Sequence, residues 1–248
     1  MSPLRACPSP AHLQAILEAL PATKKGPTLS ELYTTAWTDL PSRILERKPP
    51  HLSQPELAQV LDFKLAFGQN RPALRGMIGA LDNQAVVAAS TEAFKLLSEA
   101  GSAADAVVVD ALKALTVLRG VGPATASLVL SLFSPSVPFF SDEAAVVALR
   151  PAAGRKGLKY NESEYREFLE RVREATDEGK QREWERRIWI QETARTLGLE
   201  LDSAGSACGD AATTVKKGKR KSDVGLAEEA PLETGRRTRS KRAAAGDA

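Results

Sequence analysis

The nine residues Leu118-Arg119-Gly120-Val121-Gly122-Pro123-Ala124-Thr125-Ala126 leave the backbone few options. Upstream, Val108, Leu112, Leu115 and Leu118 recur at helical spacing, and downstream Ala126, Val129, Leu130 and Phe133 do the same. The two glycines between these segments admit backbone angles that other residues resist, so the chain can reverse tightly. Pro123 then falls in the first turn of the second segment, where its missing N–H would be unpaired in any case. The pattern predicts helix, Gly-Val-Gly turn, helix, with Val121 pointing inward and tying the two helices together. The turn and the start of the second helix leave N–H groups without backbone partners, and these are expected to face outward. Such a site suits one anion, and a nucleic-acid phosphate is the candidate.

The rest of the chain reads as all-α. Leu13, Ile16, Leu17 and Leu20 put an apolar face on a helix over Ala11 to Leu20. A second helix is expected from Thr28 or Ser30 to about Leu45, cut short by Pro41. Ser53-Gln54-Pro55-Glu56 places a capping serine three residues before a glutamate, with proline in the first turn, and predicts a helix to Gly68. A stripe of Leu74, Met77, Ile78 and Leu81 follows. Two separate helices are then expected, one from about Gln84 and one over Thr91 to Ala100. Beyond the glycine turn, helices are predicted over Glu143–Leu149, Ser163–Ala175 and Arg182–Leu197. No run alternates as a strand would. The expected architecture is a compact multi-helix domain over about residues 11–200.

Residues 1–10 contain Pro and Ser and are expected to be disordered. From residue 201 the composition shifts to Ala, Gly, Ser, Thr and charge, which cannot bury enough apolar area to order itself, so 201–248 is read as a disordered basic tail. The tail holds two basic clusters, Lys216–Lys221 and Arg236–Arg242, spaced as in a bipartite nuclear address or a nucleic-acid-binding tail. It carries ten Lys/Arg and seven Asp/Glu, which leaves 24 of each sign in residues 1–200. A neutral domain binds duplex DNA only through a local patch.

Cys7 and Cys208 lie far apart in polar sequence and make no disulfide framework, and with only His12 and His51 beside them they offer no protein metal site or iron–sulfur cluster. No apolar run is long enough to span a bilayer, and no secretory h-region is seen; from the two unpaired cysteines an intracellular, reducing compartment is expected, and from the basic clusters a nuclear one.

Leu118 to Ala126 resembles the helix-hairpin-helix of DNA repair proteins. With Val137-Pro138-Phe139-Phe140-Ser141-Asp142-Glu143 the similarity extends to the helix-hairpin-helix DNA glycosylase superfamily, concentrated in residues 105–150. In that family an aspartate opens the next helix about twenty positions after the hairpin, and Gly122 to Asp142 is 20 positions. The resemblance implies a DNA-binding protein of base excision repair, with possible chromatin or repair-protein partners. It implies that Asp142 is the carboxylate stabilising a cationic sugar while a damaged base leaves. It also implies that Gly120, Val121, Gly122, Ala124 and Thr125 hold a DNA phosphate through their backbone, with a monovalent cation as the only candidate cofactor. Bifunctional members carry an attacking lysine in the hairpin. Ala124 occupies the matching position, which points to a monofunctional enzyme using water. Glu143-Ala144-Ala145 departs from the family pattern, in which a polar or histidine residue and then a basic residue follow the aspartate.

Alternatives stay open on the residues themselves. Ser141 and Asp142 are both favoured helix caps, so an aspartate is expected there without catalysis. Lys64, Arg71, Arg75 and Arg119 are candidate DNA contacts, but the plainer reading of Lys64, Arg71 and Arg75 is a solvated helix face with a proline turn. Trp37, Trp184 and Trp189 are equally suited to a base pocket or to the core. The second functional reading is a non-catalytic helix-hairpin-helix module that binds DNA or a protein on chromatin.

Overall fold

The computed structural model describes residues 10–20, 27–68, 71–99 and 104–199, with eleven α-helices among them and no strand. Residues 1–9 of the expected disordered N-terminus, the tail and both basic clusters lie outside the described residues, whereas Pro10, expected in that N-terminus, opens the first helix.

The fold is built around helix α8, Pro123–Phe133. Every residue from Ala124 to Leu132 is buried. The segment carries no charge, so it can sit in the core on all sides, and not only on the face that Ala126, Val129 and Leu130 mark. Its three hydroxyls are satisfied in place. Ser131 donates to Leu128 O at 2.7 Å. Ser127 donates to Ala124 O and accepts from the Phe140 N–H at 3.0 Å. Thr125 accepts from Lys64 at 2.8 Å. A buried hydroxyl without a partner would cost about 1–3 kcal/mol.

The other helices wrap this centre. Helix α1 is Pro10–Ala19, α2 is Leu29–Thr34 and α3 is Leu40–Glu46. A capping box of Thr28 and Glu31 starts α2. Pro41 does not break this stretch as expected. It has no N–H to donate to the carbonyl one turn back, and the chain absorbs the loss as a π-turn over Thr35–Asp39, in which the Leu40 N–H reaches Thr35 O. Helix α4, Gln54–Phe67, opens on the expected capping box of Ser53 and Glu56. Arg47 grips the same Glu56 carboxylate with both terminal nitrogens at 2.7 Å. Burial opposes ionisation of Glu56, but Arg47 and the Ser53 N–H and hydroxyl outweigh it and hold the carboxyl at about 2.

Helix α5 is Pro72–Gly79 and α6 is Asn83–Glu99. The two helices expected between Gln84 and Ala100 are this one helix. Ser90-Thr91 reads as a break because such side chains compete with helical hydrogen bonds. Ser90 is buried, however, donating to Val86 O at 2.8 Å and accepting from the Leu52 N–H at 2.9 Å, so tertiary structure keeps it helical. Helix α7, Asp105–Thr116, packs on α6 and leads through the glycine turn to α8. Helices α9 (Asp142–Leu149), α10 (Glu162–Glu174) and α11 (Gln181–Leu197) close the bundle, α9 against both α10 and α11, and α11 against α1.

Candidate functional site

The glycine turn is tight because its hydrogen bonds close inside it. Val121 donates to Leu118 O at 3.0 Å and is buried, as its inward placement requires. Gly120 sits at φ +89°, a conformation that favours glycine, and a Cβ there would stand 3.0 Å from Met77 Cβ. Thr125 and Ala126 both donate to Gly122 O at 2.9 Å. Val121 and Thr125, two of the five expected phosphate holders, therefore have their N–H groups committed within the turn and the first helical turn, and Thr125 faces inward. Among the described residues, the N–H groups of Gly122 and Ala124 have no acceptor. Gly122 is exposed.

The turn forms one wall of a cavity of 1260 Å³. Asp142 and Lys64 line it, with Arg71 and Arg119. Arg75 does not. It is paired with Asp62 at 2.7 Å, away from the cavity. The walls hold seven lysine and arginine residues against three carboxylates. The balanced charge of residues 1–200 is thus segregated, and the cavity takes a cationic excess.

Asp142 is the first residue of α9, but the cap is Ser141, whose hydroxyl accepts from the Ala144 N–H. The Asp142 carboxylate is therefore free of capping and turns to other groups. Tyr160 donates its hydroxyl to Oδ1 at 2.6 Å, and Arg155 Nε lies 2.9 Å from Oδ2. Arg155 also reaches Glu143 at 2.7 Å. Burial raises the Glu143 carboxyl. Tyr160 holds a left-handed backbone at φ +54°, uncommon for a residue with a large side chain. Its N–H and that of Lys159 both donate to the Glu164 carboxylate, at 2.6 and 2.8 Å, and Asn161 caps α10 beside them. Burial, and then the Asp142 hydrogen bond and charge, push the Tyr160 phenol well above its ordinary value, so it stays a proton donor to Asp142.

Lys64, from α4, reaches into the cavity and donates to Thr125 Oγ1. Burial first, and then the Arg71 charge, pull its amine down to about 8 against the opposing pull of Asp142.

An aromatic recess adjoins this polar wall. Tyr33, Trp37, Phe63, Phe67 and Trp189 pack in edge-to-face and tilted pairs, with centroids 4.9 to 6.5 Å apart. The Arg186 guanidinium lies over Trp37 at 5.0 Å and over Tyr33 at 5.5 Å, and donates to the Tyr33 hydroxyl. The three tryptophans thereby separate: Trp37 and Trp189 line the cavity, whereas Trp184 is buried apart from it. Glu185, 1% exposed, also lines the cavity, and burial raises its carboxyl to about 8 despite the Ser141 hydroxyl and Arg186.

Tyr160, Arg155, Glu185 and Arg186 are site residues that the sequence pattern did not single out. Among the described residues, no group of three His, Cys, Asp or Glu side chains is placed to hold a metal ion, and no helix is long and apolar enough to cross a membrane. The chain matches no protein-family model, no curated protein and no solved structure.

Proposed function

We propose that this chain is a DNA-binding helix-hairpin-helix protein that removes a damaged base by hydrolysis of its N-glycosidic bond. The observation that carries the reading is the position of Asp142: a carboxylate relieved of capping, standing in one cationic cavity with the glycine turn. The turn's Gly122 and Ala124 N–H groups would take a backbone phosphate, with a monovalent cation at the turn as part of the same proposal. Arg119 and Lys159 on the wall would add phosphate contacts. Trp37 and Phe67, the partly buried members of the aromatic recess, would offer an extrahelical base apolar surface to pack against. Asp142 then faces the sugar as positive charge develops at C1′, and Tyr160 fixes the orientation of the carboxylate. Arg155, half-exposed on the Gly154–Gly157 turn, is the side chain that would give way when the sugar enters. Nuclear location and repair partners belong to the same reading and rest on the tail.

Asp142→Asn tests it. Base release from damaged duplexes should fall by ~10²-fold or more while duplex affinity stays within a few-fold. Release unchanged by the substitution would leave the second reading, a non-catalytic binding module.

A further inference from the structure

Arg186 stands where packing does not ask for a cation. From α11 it lines the cavity, with its guanidinium over the rings of Trp37 and Tyr33 in the aromatic recess. Among the described residues its hydrogen-bond partner is neutral, the Tyr33 hydroxyl, and no carboxylate forms an ion pair with it. Its Nε is enclosed and has no acceptor there. Glu185, its neighbour in the chain, is bonded to the Ser141 hydroxyl and stays protonated at neutral pH because burial disfavours its charge. Asp142 is engaged by Tyr160 and Arg155. The recess therefore holds an uncompensated positive charge and a fork of N–H donors short of acceptors.

The charge and the fork bear differently on what enters. A cationic ring, the kind that an open set of aromatic faces attracts, meets Arg186 already lying over two of the rings and is repelled by it. A flat ring with acceptors along one edge supplies what the guanidinium lacks. The O6 and N7 pair of a 6-oxopurine matches its fork. We propose that Arg186 sets the ligand class of this cavity: planar heterocycles with a carbonyl acceptor edge and no positive charge, 6-oxopurines among them. This rests on the reading of the recess as the place that takes an extrahelical base, and narrows that base to the uncharged, acceptor-edged kind. Arg186 acts on specificity alone, and bond breaking stays with Asp142.

The experiment compares two nucleosides of nearly the same shape on the full chain: 2′-deoxyinosine, a neutral 6-oxopurine, and 1-methyl-2′-deoxyadenosine, a cation at neutral pH. Trp37 and Trp189, on the cavity, report binding by their fluorescence. Duplexes carrying either base at one position are assayed for base release in parallel. The expected result is binding of deoxyinosine tighter by about tenfold or more, with release in the same order. Arg186→Met should bring the two affinities within about twofold, since it removes the repulsion and the fork together. Arg186→Lys should still exclude the cation but loosen deoxyinosine, because an ammonium has no fork. The nucleoside preference without release from either duplex upholds the role of Arg186 and removes the base-excision reading. A preference unchanged in Arg186→Met, or release of the cationic base ahead of the neutral one, overturns the proposal. Equal or tighter binding of the cation, or no binding of deoxyinosine, overturns it on the unaltered chain, whether or not a variant folds.

Discussion

Three side chains concentrate what single residues do here. Lys64 keeps an amine pulled down to about 8 because burial and Arg71 both disfavour its charge. Its folded value lies below the unfolded one, so protonation at neutral pH opposes folding, and stability is regained as pH rises from about 8 through the unfolded value. Lys64→Met should therefore stabilise the protein at pH 7 by about 1 kcal/mol, a rise of a few degrees in Tm by calorimetry. A lower Tm would mean that the Thr125 hydrogen bond outweighs the buried charge. Glu56 has the opposite sign. Its carboxyl is held at about 2, so the stability it supplies is present above the usual glutamate range and is lost as pH falls toward 2. Glu185 is raised to about 8, so its contribution is full at low pH and is lost as pH rises from the ordinary glutamate value through 8. Glu185→Gln should flatten the decline in Tm between about pH 5 and 8. An unchanged slope would assign that decline to other groups.

At the scale of elements, the glycine turn and α8 are inseparable. Gly120 needs its left-handed backbone and lies against Met77, whereas Gly122 has φ −94° and open space around it. Gly120→Ala should cost about 1–2 kcal/mol or more, and Gly122→Ala less than about 0.5 kcal/mol, in urea unfolding. Equal costs would show that the turn is not held as described. This contrast was half legible in the sequence. Gly-Val-Gly-Pro declares a turn entering a helix, and Ser53 with Glu56 declares a helix start, because those signals are local. Pro41 and Ser90 misled because their outcome is tertiary: a π-turn absorbs one, and the Leu52 N–H satisfies the other. The site was legible to the same degree. The turn and Lys64 stood out by residue type, and Asp142 only through the resemblance to helix-hairpin-helix glycosylases, since by itself it reads as a helix cap. Tyr160, Arg155 and Arg186 did not, because the loop and the distant helix that carry them meet the cavity only when folded. Thr125 was expected to hold phosphate, but its N–H closes the first turn of α8 and its hydroxyl supports Lys64.

For the whole molecule, the distribution of charge matters more than its total. A balanced domain that gathers seven cationic residues around one cavity focuses attraction on a single place. Reversing Arg119 and Lys159 to glutamate should weaken DNA binding and lower the salt slope by about one for each phosphate no longer neutralised. The tail's basic clusters would attract any duplex equally, so the specificity of the cavity appears only in a ratio. The decisive measurement is the ratio of the full chain's affinities for an abasic-site duplex and an intact duplex of the same sequence, between about 50 and 200 mM salt. The account predicts a clear preference for the abasic duplex that persists across the salt series and vanishes in the Arg119→Glu, Lys159→Glu variant. Equal affinities at every salt concentration would contradict it and place DNA binding, if any, outside the cavity.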